Sequence, residues 1–180
     1  MRILNSVFLG IIAVSVFGQR GEIPWEADRP LFWSDFERRV GGGGYFQAYT
    51  YSGIRYTVDD ANGYVRIQIE CYFLEDESWV FREHATSKLL NHEQGHFDIA
   101  EIYARRMRRQ LKEYEMPVWR FSSNNHMRDV KGIYNNLYDE MEGIQKQYDR
   151  DTGHGTRGGA QQEWDRWIES TLDELEGFES

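Results

Sequence analysis

Residues 87–115 place the strongest constraint on how this chain can fold. Their apolar side chains recur at helical spacing, and the segment contains no proline and no glycine except Gly95. Pro117 follows shortly afterwards, as is common just beyond the end of a helix. The sequence therefore predicts one long helix with apolar faces, against which the rest of a small domain would pack.

The part of the chain before this helix has the patterns of strands. Residues 64–73 alternate between apolar and polar side chains, which is typical of an antiparallel strand with one buried face. The apolar members are Val65, Ile67, Ile69, Cys71 and Phe73. Residues 45–57 are rich in aromatic and β-branched residues and predict a strand pair or a bent strand. Residues 59–63 contain two aspartates, an asparagine and a glycine, and predict the turn between these strands.

Two further helices are predicted after the long one. They cover residues 125–148 and 161–175, with a glycine-rich loop at residues 151–159 between them. The glycines at residues 41–44 predict a hinge or tight loop. Strands followed by helices indicate a single α+β domain over residues 20–180, in which a small antiparallel sheet packs on the long helix and on the two further helices.

The N-terminus has the features of an export signal. Arg2 precedes an apolar run over residues 7–17, which is too short to span a bilayer and is followed by small and polar residues. We therefore expect residues 1–19 to be a signal peptide, the protein to be periplasmic or secreted, and no stable membrane insertion. Cys71 is the single cysteine and can form no internal disulfide. The net charge of -9 argues against nucleic acid as a partner.

The long helix contains the sequence HEQGH at residues 92–96, which fits the pattern His-Glu-x-x-His. Two histidines four residues apart lie on one helix face, so His92 and His96 can reach the same metal ion. Glu93 can take a proton from a water molecule at that ion. Imidazole ligands favour zinc, Zn²⁺. Gly95 costs the helix about 1 kcal/mol relative to alanine, which predicts close approach by another backbone.

A third ligand has to come from elsewhere in the sequence. At about 100° per residue, Glu101 points about 180° away from His92, and Asp98 points about 200° away from the second histidine. Both acids are therefore expected to be outer partners, which accept an imidazole N–H or fix a neighbouring loop. His154 lies in a loop between two glycines, which allow a backbone to approach an ion closely. It is the favoured third ligand, with His126 and then Glu101 as the alternatives.

Three residues near His154 have further predicted roles. Tyr148 could donate its hydroxyl to the oxyanion that forms when water attacks a peptide carbonyl, and a packed aromatic at a helix end is an equally good interpretation. Asp149 or Asp151 could accept a hydrogen bond from the His154 ring and orient it.

Five blocks of the sequence are distinctive. They are RPLFWSDF at residues 29–36, SWV at 78–80, LLNHEQGHFDIAEIYAR at 89–105, QYDRDTGHG at 147–155 and the segment at 161–164. Together they resemble a bacterial family of predicted secreted zinc-dependent proteases, which is also described as a domain of unknown function. The resemblance implies protease activity in a zincin-like arrangement, with His92, His96 and His154 as ligands and Glu93 as the catalytic carboxylate.

The sequence favours a zinc-dependent hydrolase, and within that class a metallopeptidase acting on peptide or protein substrates. An extended substrate would add a strand to a sheet edge, for which residues 64–73 are the candidate. The alternative is a non-catalytic exported domain that zinc stabilises for binding. Hydrolysis of a non-peptide amide, such as a cell-wall component, is a third hypothesis. Glu93 favours an enzyme, because a purely structural site needs no acid between its ligands.

Overall fold

The computed structural model of the chain describes residues 21–40 and 47–180. The predicted signal peptide, residues 1–19, and the predicted hinge, residues 41–44, lie outside the described residues. In these two described ranges, no helix combines the length and the apolar character that crossing a membrane requires.

The described residues form five strands in two small antiparallel sheets. The strands are β1 (Glu22–Pro24), β2 (Ala48–Tyr49), β3 (Ser52–Ala61), β4 (Tyr64–Leu74) and β5 (Trp79–Val80). One sheet has the order β1-β4-β3, and in the other β2 pairs with β5. The alternating strand predicted at residues 64–73 is confirmed as β4, and its apolar face is the one that is buried.

β4 is the central strand of its sheet, so the prediction that it offers an edge to a substrate is wrong. β3 pairs with it from Ser52 opposite Phe73 to the tip of the hairpin. On the other side, β1 pairs with its last residues, and the carbonyl of Met116 accepts from the N–H of Val65 at 2.8 Å. One side of the strand is therefore occupied by its hairpin partner β3, and the other by β1 and Met116, which are distant in sequence.

The β3–β4 hairpin closes through a turn of two residues. Asn62 and Gly63 have positive φ angles of 58° and 77°, the backbone of the tight turn whose twist matches that of the strands. Oδ1 of Asp60 accepts a hydrogen bond from the N–H of Gly63 at 2.8 Å. The turn predicted at residues 59–63 thus contracts to its last two residues, and β3 continues to Ala61 opposite Tyr64.

Four helices follow in the described part of the chain. They are α1 (Ser87–Leu111), α2 (Val118–Ser123), α3 (His126–Thr152) and α4 (Gly158–Glu174). Thr86 caps α1, because its side chain accepts from the N–H of Leu89 at 3.2 Å. α3 extends past its predicted end at residue 148 and stops where Gly153 adopts a left-handed conformation. The loop between α3 and α4 is therefore shorter than the glycine-rich loop predicted at residues 151–159.

α1 lies between the sheet and the helices α3 and α4. Its residues Phe97, Ile99 and Ala100 are fully buried, and Phe97 contacts Phe73 of β4. The mixed fold with a small antiparallel sheet and helices around one long helix is confirmed. Its packing brings the N-terminal half of α1 against the C-terminal end of α3 and the beginning of α4.

Candidate metal centre

The histidines of α1 face the C-terminal end of α3. His92 and His96 are one helical turn apart, and their ring centroids are separated by 4.8 Å. The Nε2 atom of each lies 3.2 Å from Oδ1 of Asp149 on α3. Two imidazole nitrogens and one carboxylate oxygen therefore converge, and all three atoms lie within 4.8 Å of one another.

This spacing fits a small metal ion. Ligand atoms about 2.0–2.2 Å from a tetrahedral ion lie about 3.3–3.5 Å from each other. The separations of 3.2 Å between Asp149 and the two Nε2 atoms are close to that value. With two imidazole nitrogens and a carboxylate oxygen, the group has donor types that could hold a divalent metal ion.

Two glutamine amides bond to the Nδ1 atoms of the histidine rings. Nδ1 of His92 lies 3.2 Å from Oε1 of Gln161 on α4. Nδ1 of His96 bonds to Oε1 of Gln145 on α3, whose Nε2 donates to the His96 carbonyl at 2.8 Å. Since an amide oxygen only accepts, each Nδ1 carries a proton, so Nε2 is the ring atom that faces Asp149 and that would bind a metal.

The site stabilises positive charge beside Asp149. Burial opposes the ionisation of Asp149, but hydrogen bonds from His92 and His96 outweigh it and hold the pKa of this carboxyl well below its ordinary value. Burial also disfavours the imidazolium form of His96, yet the hydrogen bond to Asp149 and the charge of Glu93 raise its pKa. A metal cation would interact favourably with the same two carboxylates, Asp149 and Glu93.

The converging atoms open onto a cleft of about 540 Å³. Residues of α1, of α3 and of the segment around β2 line it. Glu93 lies in its wall, 4% exposed, and Oε2 of its carboxylate accepts a hydrogen bond from Oγ1 of Thr50 at 2.7 Å. The carboxylate of Glu93 and the converging atoms therefore line one open cavity.

The loop between α3 and α4 brings His154 to the same place. Gly153, His154 and Gly155 have successive positive φ angles of 57°, 52° and 75°, a left-handed backbone that is unfavourable for a histidine. A Cβ on Gly155 would lie 2.9 Å from the Cβ of His92, so the loop packs directly on that residue. Nδ1 of His154 lies 3.0 Å from Oδ1 of Asp149. His154 is thus at the site, and its role as a ligand stays a prediction.

Tyr148 lies beneath His92. Its side chain is fully buried, its ring stacks on that of His92 at 4.6 Å, and its hydroxyl donates to the His92 carbonyl at 3.1 Å. Burial raises the pKa of this hydroxyl. A Cβ on Gly95 would overlap the Tyr148 hydroxyl, so the close neighbour of Gly95 is this side chain, and the prediction of a second backbone there is wrong. The predicted donation to an oxyanion stays a prediction, because the hydroxyl bonds within the protein here.

The two acids that follow the histidines on α1 point elsewhere, as their helical angles predict. Glu101 is 1% exposed and pairs with Arg105 and Arg108 at 2.9 and 2.8 Å. Asp98 accepts from Nε1 of Trp25 at 2.8 Å, which attaches the N-terminal segment to α1. Neither acid belongs to the converging group of the described residues.

His126 and Asp151 are also separate from the converging atoms. His126 begins α3, and Asp149 lies near the other end of that helix, about 35 Å away at 1.5 Å per residue. The side chain of His126 pairs with Asp129 instead. Asp151 is exposed and accepts from Nε1 of Trp164 at 3.3 Å. Of the two acids predicted to orient His154, Asp149 is the one in contact with it.

Residues 75–155 match the model of a family described as "Bacterial protein of unknown function (DUF922)". The match covers β5, α1 and α3, with all the residues of the converging group and His154. No curated protein and no solved structure matches the chain. Residues 75–155 are thus similar to a bacterial domain of unknown function, and the family description assigns no activity to it.

Gln145 and Gln161, whose amides support the histidine rings, were not assigned a role from the sequence. A usable pattern exists on α3, because Gln145, Tyr148, Asp149 and Thr152 recur at helical spacing and place polar groups on a face that packs against α1. Asp149 could have been proposed as a ligand on that basis. Thr50 and Gln161 come from other parts of the chain, and no local pattern marks them.

Proposed function

We propose that this protein is a zinc-dependent hydrolase and acts as a metallopeptidase on peptide bonds. The observation that carries the proposal is the convergence of His92, His96 and Asp149 at a cleft that Glu93 also lines. Catalytic zinc sites use three protein ligands of this kind and keep one position open.

His92 and His96 would hold the ion through Nε2, because glutamine amides occupy their Nδ1 atoms. Asp149 is the favoured third ligand, since its Oδ1 lies 3.2 Å from both nitrogens. His154, the third ligand predicted from the sequence, lies 3.0 Å from the same oxygen and is the competing candidate. Mixed nitrogen and oxygen donors favour zinc over magnesium and calcium, which prefer oxygen ligands.

A zinc ion held by these residues would supply Lewis acidity, which would polarise a substrate carbonyl and make a water molecule more acidic. Glu93 then acts as the general base: it accepts a proton from the attacking water and passes it to the leaving amine. Thr50 holds the Glu93 carboxylate in the cleft wall through the hydrogen bond of 2.7 Å. Because His92 and Glu93 are buried, they need little rearrangement during the reaction.

A structural zinc site is the alternative, in which the metal would stabilise a domain used for binding. Structural zinc sites are closed by four protein ligands. The group described above instead opens onto a cleft of about 540 Å³, with the carboxylate of Glu93 in the cleft wall. These two features support a catalytic site over a structural one.

Zinc content and peptide cleavage of the wild type and of Glu93→Gln test the proposal. We expect stoichiometric zinc in both proteins. The wild type should cleave members of a peptide library, and Glu93→Gln should be slower by about 10²–10⁴-fold, the usual contribution of a general base.

Glu142→Gln is the matched control. Glu142 lines the same cleft but is exposed and pairs with Lys146 at 3.6 Å, so this variant should retain activity. A wild type that binds no zinc would refute the metal centre. A wild type that binds zinc but cleaves no peptide would support the structural alternative or a non-peptide amide as the substrate.

A further inference from the structure

A chain of hydrogen bonds connects His92 to a carboxylate on α4 that lies outside the converging group. Nδ1 of His92 faces Oε1 of Gln161 at 3.2 Å. Nε2 of Gln161 donates to Oδ1 of Asp165 at 2.8 Å and to the hydroxyl of Tyr148 at 2.6 Å. Gln161 is 4% exposed, so its amide depends on these partners. Both ends of the buried amide are therefore satisfied.

Asp165 fixes the direction of this chain. A carboxylate only accepts hydrogen bonds, so Gln161 has to turn its NH₂ group toward Asp165 and its oxygen toward His92. That oxygen also only accepts, so Nδ1 of His92 has to carry the proton. Nε2 of His92 is left with the lone pair that a metal ion needs.

Thr152, like Gln161, offers a hydrogen-bond acceptor to Nδ1 of His92. Its Oγ1 donates to the carbonyl of Tyr148 at 2.7 Å, which leaves a lone pair for Nδ1 of His92 at 3.4 Å. Two acceptors from two different helices therefore face this nitrogen. Both favour the same tautomer of the ring.

Asp165 is itself held in place. Nδ2 of Asn91 donates to both carboxylate oxygens of Asp165 at 3.1 Å. Asn91 directly precedes His92 on α1, so α4 is attached to the helical turn that carries the ligand. The opposite orientation of Gln161 would bring two acceptor oxygens together at the 2.8 Å contact with Asp165, which is unfavourable.

We propose that Asp165 and Gln161 are positioning residues of the metal centre. Asp165 sets the orientation of the Gln161 amide, and that amide sets the tautomer of His92. This inference rests on the proposed function, since it concerns how the same site presents its ligand. Neither residue touches the metal or the substrate. Their contribution is to metal affinity, where the outer partners of ligating histidines account for about 10- to 100-fold.

Exchanging the two groups tests the proposal. In Gln161→Glu, a carboxylate faces the Asp165 carboxylate, and the affinity for zinc should fall about 10- to 100-fold. In the double variant with Asp165→Asn, the new amide can donate to the new carboxylate, which still accepts from His92. Most of the affinity should then return. The double variant has the net charge of the wild type, so a change in total charge cannot explain the recovery.

Two further measurements separate positioning from packing. Asp165→Asn alone should weaken zinc binding by about tenfold at most, because it frees the amide to rotate. Asp173→Asn removes an exposed carboxylate from the same helix and should bind zinc like the wild type. In the zinc-loaded protein, the Nδ1 proton of His92 should exchange faster with solvent in Asp165→Asn than in the wild type or the double variant, as measured by NMR.

The outcomes are distinct. Unchanged zinc affinity in both Gln161→Glu and Asp165→Asn overturns the inference and leaves the proposed function intact. Loss of affinity in Gln161→Glu without recovery in the double variant assigns Gln161 to packing and also overturns it. A wild type that binds no zinc overturns the proposed function, and the inference with it. Circular dichroism identifies a variant that fails to fold, and Asp165→Asn then decides.

Discussion

Two regions of α1 bury polar side chains in different ways. In the C-terminal half, Glu101 pairs with Arg105 and Arg108 of the same helix at 2.9 and 2.8 Å. The two guanidinium groups also donate to the carbonyls of Leu172 on α4 and Ile69 on β4. These groups satisfy one another and attach α4 and β4 to α1. The network therefore contributes to the fold, and its charged groups pair with one another.

In the N-terminal half, His92 and His96 turn their Nδ1 atoms toward glutamine amides and both Nε2 atoms toward one oxygen of Asp149. Three groups that would each bind a cation meet beside a cleft. A ligand site needs both features: partners behind the rings that orient them, and convergence in front. Burial of polar groups is common to both halves, and convergence beside open space is what distinguishes the N-terminal half.

Glu101→Ala should have the largest effect, and it should fall on stability alone. The change leaves Arg105, which is 2% exposed, without its buried carboxylate. We expect the free energy of unfolding to fall by about 3–5 kcal/mol, the usual range when one partner of a buried ion pair is removed. Urea denaturation measures this loss, and zinc stoichiometry should not change.

The exposed Glu113, just beyond α1, provides the control for Glu101. Glu113→Ala makes the same chemical change at the surface and should alter stability by less than about 0.5 kcal/mol. If folded Glu101→Ala bound no zinc, the two halves of α1 would not be independent, and the comparison would fail.

Asp149→Ala should have the next largest effect, on zinc affinity. Removing a ligand should weaken binding at least as much as removing an outer partner, so we expect a loss of about 100-fold or more. A competition titration with a chelator measures it. Asp151→Ala is the control, because Asp151 is exposed and two residues away on the same helix. A larger loss in His154→Ala than in Asp149→Ala would instead make His154 the third ligand.

Gly95→Ala tests how tightly the histidine region is packed. Alanine is the better helix former by about 1 kcal/mol. A Cβ would, however, overlap the Tyr148 hydroxyl, which His92 and Gln161 hold in place. We therefore expect a net loss of about 1–3 kcal/mol in the free energy of unfolding, as is usual for overpacking.

A double variant isolates the cause of that loss. Tyr148→Phe removes the overlapping oxygen, so in its presence Gly95→Ala should lose less stability than in the wild type. Denaturation of the four proteins of this cycle gives the coupling energy. Additive effects of the two substitutions would show that the overlap with the Tyr148 hydroxyl oxygen is not the reason for the glycine.

The part of the fold that the sequence could predict is the part set by local periodicity. The alternation in β4 and the helical spacing in α1 and α3 identify those elements and their buried faces. β1, with 3 residues, and α2, with 6, are too short to carry a period. The central place of β4 also could not be predicted, because it depends on β1 and on Met116 from distant parts of the chain.

The candidate site also has a part that local sequence spacing predicts and a part that it does not. His92, Glu93 and His96 lie within one helical turn, so their common location follows from the sequence. The angles along α1 also argued against Glu101 as a ligand, and its pairing with arginines agrees with that. Asp149 required the knowledge that the end of α3 packs on α1. Contacts of this kind depend on tertiary packing, which no local spacing encodes.

Gly143→Ala should have the smallest effect on the free energy of unfolding. The sign of this effect should be opposite to that of Gly95→Ala. Nothing lies within 4 Å of a Cβ built on Gly143, although it is close to Gln145 on α3. Alanine should therefore stabilise the protein by about 0.5–1 kcal/mol, the usual gain within a helix, and leave zinc affinity unchanged. Gly95 and Gly143 undergo the same chemical change in two helices that both contribute to the site. Of the two glycines, only Gly95 lies against Tyr148. A loss of stability at Gly95 and a gain at Gly143 would therefore show that an added methyl group is unfavourable only where it meets the Tyr148 ring. Loss of stability at both positions would mean that contact with Tyr148 does not explain the effect at Gly95. The contrast between the two glycines would then not hold.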